Sequence, residues 1–325
     1  MLSSFSCSVY MGAYSVNVFS NHNLSPFLRE GIFTKWIPGY RYSDKLSVTD
    51  YSLCCYLQAK TDKFDMAISD DKKLISISCS LETIRDGEML AYLVYPMLEI
   101  QRQGDGLMTI HAAAVSCDDR GILILGKEGT GKISVAISLC REYGCKLIAN
   151  DLCIIGHSKS EIILYDGTKF FFVRYESMMR THRDLLRYFK EEPEDKWMAK
   201  TYIYPDQIGI QPETDPIKLG FAYVVHVSID NHKKEHLCSK RMNGLWPKLF
   251  LYENFSRYIR MTCMPILGGE NFSYMGYVPS FDCLNFHNKR VSLIDNLLNV
   301  IGITYLSGHL SKISEEIYQK IKATG

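Results

Sequence analysis

Seven residues constrain this 325-residue chain more than any others: Gly126-Lys127-Glu128-Gly129-Thr130-Gly131-Lys132, a G-x-x-x-x-G-K spacing. The spacing alone arises by chance, so its setting carries the weight. An apolar run, Ile122–Leu125, leads straight into it. A helical pattern, Ile133–Tyr143, leads out, and Gly144 is placed to end that helix. Strand, glycine loop and helix in this order predict an α/β domain with a phosphate-binding loop. The glycines let successive backbone N–H groups turn inward around phosphate oxygens. The helix start adds partial positive charge, and Lys132 adds a point charge for the outer phosphates.

Gly126, Lys127, Glu128, Gly129, Thr130, Gly131, Lys132, Ile133 and Ser134 are therefore the expected nucleotide-binding residues. The expected ligands are ATP or another nucleoside triphosphate, and Mg²⁺. The position after the lysine usually carries a hydroxyl for the metal, but here it is Ile133. Ser134 follows, about 100° further around the helix. Two more residues flank the loop in sequence. His111 stands in Thr109-Ile110-His111-Ala112-Ala113-Ala114-Val115, and Asp151 closes Leu147-Ile148-Ala149-Asn150-Asp151. A carboxylate at a strand end beside such a loop can hold Mg²⁺ or accept a proton from an attacking hydroxyl. Taken singly, His111 also fits a hydrogen-bonded core residue, and Asp151 a turn residue. Arg174, Arg180, Arg183 and Arg187 suit phosphates or an acidic peptide, and equally a solvated helix face.

Composition narrows the partners. Hydrophobic residues make up 46% and charged residues 22%, enough for a full core. The net charge is +1, so bulk charge gives no reason to expect a nucleic acid or a membrane surface as partner. No apolar run approaches 20 residues, so no membrane span is expected. No secretory signal is evident. The 11 cysteines include no C-x-x-C pair, which predicts free thiols in a reducing cytoplasm.

The first hundred residues read as a small α+β domain, 1–104, with strands at Tyr14–Phe19 and Tyr51–Gln58. A hairpin is expected around Asp70–Lys73, and a helix over Leu81–Gln103 that Pro96 should kink or split. Gly104-Asp105-Gly106 is the expected linker to a second domain, 105–325. There, strands are expected at Leu107–Val115, Ile122–Leu125, Lys146–Ala149, Leu152–Ile155, Glu161–Leu164 and Phe221–Val227. Helices are expected at Met178–Phe189, Leu293–Ile303 and Ile313–Ile321. Phe33, Trp36, Tyr40 and His22 read as packing residues.

The histidine with small residues after it, the loop, the glycine turn and the hydrophobic-hydrophobic-small-x-Asp ending, in this order, resemble the catalytic domain of the HPr kinase/phosphorylase superfamily. The likeness covers about 109–155 well and 217–310 loosely. It implies a mixed sheet with helices, phosphates gripped by Lys132, Asp151 as base toward a serine hydroxyl, and His111 in support. It also implies a cytoplasmic kinase with a peptide or protein substrate that can assemble as a homo-oligomer. Asn150 stands where the family has the first acid of the pair, and Asp151 is the one that remains. Within the superfamily the chain resembles divergent stand-alone kinases, such as lasso-peptide tailoring kinases that phosphorylate a precursor's C-terminal serine. A nucleotide-binding pseudo-kinase or regulator, a kinase of small molecules or RNA hydroxyls, and the reverse removal of phosphate stay open as alternatives.

Overall fold

Alternation of inward and outward residues marks two N-terminal strands. Leu53, Cys55 and Leu57 are buried along one, and Ile75, Ile77 and Cys79 along the other. They belong to a six-stranded sheet of β1 (Phe5–Met11), β2 (Tyr14–Ser20), β3 (Tyr40–Ser43), β4 (Ser52–Gln58), β5 (Asp65–Ile68) and β6 (Leu74–Ser80), in spatial order β3-β1-β2-β4-β6-β5. β2, β4 and β6 run parallel, and β5 and β6 form the expected antiparallel hairpin. Helices α1 (Ser25–Leu28) and α2 (Ile32–Trp36) join β2 to β3, and α3 (Glu88–Gly104) packs on β2. Phe33 and Tyr40 pack with ring centroids 5.3 Å apart, and Trp36 lies 4.9 Å from Tyr95.

Pro96 lies inside α3 and does not split it. Residues around it are buried on nearly every side of the helix, from Met89 to Gln103. That packing outweighs the one backbone hydrogen bond a proline removes. Residues 85 and 86, within the expected helical run, lie outside the described residues.

The computed structural model describes residues 4–59, 61, 63–84, 87–228, 236–262, 265–268 and 274–324. It is a mixed α/β protein that divides into two compact units, Met1–Met108 with Phe255–Lys289, and Thr109–Asn254 with Arg290–Gly325. The sequence suggested a single crossing at Gly104–Gly106. The chain instead returns, and 255–289 belongs with the first unit. Tyr258 of that stretch packs on Trp36 and Tyr95, and Lys289 Nζ donates to Gly104 O at 2.6 Å. Contacts of such sequence separation leave no local signature.

The remaining elements are β7 (Met108–His111), β8 (Ala113–Cys117), β9 (Arg120–Leu125), α4 (Lys132–Tyr143), β10 (Lys146–Ala149), β11 (Leu152–Ser158), β12 (Glu161–Gly167), β13 (Phe171–Arg174) and α5 (Tyr175–Thr181). They continue with β14 (Lys200–Ile203), β15 (Ile217–Val227), β16 (Leu237–Arg241), α6 (Trp246–Ser256), β17 (Pro265–Gly268), β18 (Tyr274–Tyr277), α7 (Leu284–Val300), β19 (Thr304–Gly308) and α8 (Leu310–Lys322). The larger sheet runs β10-β8-β9-β15-β12-β11-β7, with β19 also paired to β15 and β16 to β19. Val135, Ile137 and Leu139 of α4, with Ile313, Ile317 and Ile321 of α8, pack with Ile122, Ile124 and Val225 of the sheet into one core.

Two expected elements differ. The single strand over Leu107–Val115 is two, because Ala112 leaves the ladder and its N–H donates to Asp151 O at 3.1 Å. The helix over Met178–Phe189 is also two, α5 and a 3₁₀ segment, Arg183–Tyr188. His182 breaks it: its ring is buried and Nε2 meets Ser134 O at 3.0 Å, which holds its backbone out of helical geometry. Among the described residues no helix is long and apolar enough to cross a membrane, and the cysteines are free thiols.

Candidate functional site

Strand register brings five chain segments to one edge of the larger sheet. β9 and β15 run parallel with Leu125 opposite Val224, and β15 and β19 run parallel with Val227 opposite Gly308. β8 is antiparallel to β9, with Ala113 opposite Ile124, and β10 is antiparallel to β8, with Ala149 opposite Ala114. The edge therefore carries, in spatial order, Asn150–Asp151, His111–Ala112, the loop 126–131, Val227–Ser228 and His309. The carboxyl ends of parallel strands in open α/β sheets are where ligands bind.

The loop joins β9 to α4 and is tied down on both sides. Val227 N–H donates to Thr130 O at 2.8 Å, and Thr130 Oγ1 donates to Lys127 O at 2.9 Å. Gly131 has φ 94°, and a Cβ there would come within 2.4 Å of Val227 Cγ2, so only glycine fits. Lys132 Nζ curls over the loop and donates to Gly126 O at 2.8 Å and Lys127 O at 3.2 Å. A phosphate oxygen is a charged acceptor and a stronger partner for that ammonium than a neutral carbonyl. The first turn of α4 holds no acidic residue that would offset its N-terminal partial charge from within the helix.

The loop tip has two neighbours from later in the chain, Arg174, already a candidate for phosphates, and Trp197, to which no sequence pattern pointed. Glu128 forms an ion pair with Arg174, at the end of β13. The Arg174 guanidinium also donates from Nη1 to Trp197 O at 2.6 Å and lies 4.7 Å from the Trp197 ring centroid. The Trp197 ring sits against Gly129, where a Cβ would approach within 2.9 Å. The four arginines have different partners. Arg174 reaches the loop, Arg180 pairs with Glu176, Arg183 Nε donates to Met179 O, and Arg187 lies over the Tyr188 ring.

On the β10 side, His111 Nε2 lies 3.0 Å from Asp151 Oδ1, with side chains 13% and 38% exposed. The Ala112 N–H bond to Asp151 O adds a second tie between the same segments. Asp151 has φ 84°, a left-handed conformation rarely adopted outside glycine and asparagine-like residues. Lys169 Nζ braces the approach to this turn by donating to Ile148 O at 2.6 Å and Glu213 O at 2.7 Å. Burial pushes the Glu213 carboxyl up, but the Ser116 hydroxyl, the Asp215 and Thr214 N–H groups and Lys146 together hold it below the usual range.

The remaining sequence candidates point into packing. Asn150 is 1% exposed, and its Nδ2 donates to Phe170 O at 3.1 Å. Ile133 is partly buried against the core. Ser134 is 2% exposed, and its hydroxyl lies 3.1 Å from Thr181 Oγ1. Among the described residues no group of three or more His, Cys, Asp and Glu side chains is arranged to hold a metal.

No family model and no curated protein matches the chain. Among solved structures it is similar to the HPr(Ser) kinase/phosphatase from Coxiella burnetii, at 13% identity over 41% of this chain and 77% of that one, with a TM-score of 0.26. A likeness this slight carries no argument for function.

Proposed function

We propose that Gly126–Lys132 binds the triphosphate of ATP or another nucleoside triphosphate, and that the chain transfers the terminal phosphoryl group to a serine hydroxyl of a peptide or protein. One observation carries this reading: a glycine loop with its lysine and helix start shares a sheet edge with a histidine-braced, accessible carboxylate. The acceptor oxygen attacks the γ-phosphorus, and its proton passes to Asp151. The bond from that phosphorus to the β–γ bridging oxygen breaks, and the nucleoside diphosphate leaves with the electron pair. Lys132 and the loop N–H groups offset the developing charge. His111 donates from Nε2 to one carboxylate oxygen and so orients the other toward a second partner.

Mg²⁺, when bound, neutralises charge on the phosphates. An ion that arrives on the nucleotide would keep its waters and need few protein ligands; Asp151 would be its protein carboxylate only in place of taking the acceptor's proton. Ile133 offers it nothing, and the Ser134 hydroxyl is engaged with Thr181. The same two residues, with buried Asn150, favour a second reading, a nucleotide-binding regulator without turnover.

Incubation with γ-labelled ATP and candidate acceptors separates the two. A peptide ending in serine, such as a ribosomal precursor peptide, is the first acceptor to use. The kinase reading predicts label on the acceptor that Asp151→Asn abolishes while ATP binding persists. ATP binding with no transfer to any acceptor favours the regulator, and failure to bind any triphosphate removes both.

A further inference from the structure

A concavity lies on the opposite side of the loop from Asp151. It has a volume of about 300 Å³ and is lined by Arg180, Arg183, Val227, Ser228, His309 and Leu310 among others. It opens where the parallel strands β15 and β19 end, at Val227–Ser228 and His309. Val227 belongs to both places. Its N–H holds Thr130 O, its side chain abuts Gly131, and it forms part of the concavity wall. The cavity thus begins where the loop stops.

In-line transfer fixes what belongs there. Attacking oxygen, phosphorus and leaving oxygen lie on a line, so the acceptor and the rest of the donor leave the terminal phosphate in opposite directions. With Asp151 on the β10 side of the loop, the bridging oxygen and the phosphate behind it leave on the side of β15 and β19, where this concavity opens. We propose that this concavity is the nucleoside subsite of the donor triphosphate, a proposal that rests on the triphosphate reading above.

Its lining suits a ribonucleoside. Val227 and Leu310 supply an apolar wall for a base. Arg183, anchored through Nε to Met179 O at 3.0 Å, supplies a planar cation of the kind that stacks on aromatic rings. Ser228 and His309 supply hydrogen-bonding groups for a ribose, and His309 Nδ1 already lies 2.9 Å from the Ser311 hydroxyl at the start of α8. Arg180 is held by Glu176, which lowers the net positive charge of the wall. That suits an uncharged nucleoside better than a second polyanion.

Inorganic tripolyphosphate has the phosphates without the nucleoside and so isolates the subsite. Calorimetric titration of the full chain with ATP and with tripolyphosphate should show ATP binding tighter by on the order of tenfold or more. Ser228→Trp, which fills the concavity, and Arg183→Ala, which removes an exposed side chain, should each bring ATP down to the tripolyphosphate level. Tripolyphosphate affinity should stay within about twofold of the wild-type value. Should Ser228→Trp fail to fold, Arg183→Ala carries the test alone. Equal wild-type affinities for the two ligands, or variants that leave ATP binding intact or weaken both ligands alike, overturn the subsite while the loop stands. Binding of neither ligand by the wild type removes the triphosphate reading itself, and this proposal with it.

Discussion

Around the glycine loop, similar polar residues stand in opposite situations. On the β10 side, Asp151 and His111 face each other at 3.0 Å at the sheet edge, with the carboxylate 38% exposed. Around the first turn of α4 and just before Asp151, Ser134 and Asn150 are 2% and 1% exposed, bonded to Thr181 and Phe170. A proton acceptor has to meet its substrate, whereas these two groups are closed off by their neighbours. In the proposed function, this contrast leaves a proton acceptor accessible while offering a metal few protein ligands. Residue type alone says little here: Asn150 and Asp151 are adjacent, and the positive φ of Asp151 turns the chain between them.

The largest effect expected on the loop side follows Gly131→Ala. The new methyl meets Val227 and the positive φ costs about 1–2 kcal/mol. Calorimetry should show triphosphate binding lost, and retention of binding would mean that the loop's shape is not what grips phosphate. His111→Ala sharpens the other side. Transfer should slow by about a hundredfold with ATP affinity unchanged, measured as kcat beside Kd. If ATP affinity falls instead, His111 acts on the ligand rather than on Asp151.

Asn150→Asp tests the buried side. It replaces an amide that donates to Phe170 O with a carboxylate that cannot, and should destabilise the fold by roughly 3 kcal/mol in urea denaturation. A stable variant with faster transfer would show instead that position 150 faces the substrate.

The smallest effect concerns His182, which ties α5 to the first turn of α4 through Ser134 O. Burial, ahead of the opposing Ser134 hydrogen bond, holds its pKa below the ordinary histidine value. The unfolded chain therefore takes up this proton first. Its contribution to stability is intact above about pH 6.5 and declines as pH falls below that. Replacing His182 by glutamine, whose amide can also donate to Ser134 O, should give a shallower loss of melting temperature between pH 7.5 and 5.5. An unchanged slope would assign the acid sensitivity to other groups.

Much of this was legible in the residues where the signal is local. The run from Ile122 through Gly131 to Gly144 reads as strand, loop and helix because apolar spacing and glycine placement are properties of adjacent positions. The same holds for the hairpin around Asp70–Lys73. What escaped reading depends on partners far along the chain. The break at His182 is set by a carbonyl on α4. The passage of α3 through Pro96 is set by burial on all sides. The return of 255–289 to the first unit has no sequence marker, and neither does the strand Thr304–Gly308, which a reading of the tail as helices passed over. At the site, Arg174 and Trp197 reach the loop tip from 40 or more positions away, and the ion pair with Glu128 has no motif to announce it.

The central claim is that Lys132 and the loop around it grip a polyphosphate. Titration of the full chain with ATP by calorimetry, wild type beside Lys132→Ala, tests it most directly. The account predicts one site per chain whose affinity the substitution weakens by about ten- to a hundredfold, as expected for loss of a charged hydrogen-bond donor. A wild type that takes up no ATP, or a variant that binds it equally well, contradicts the account.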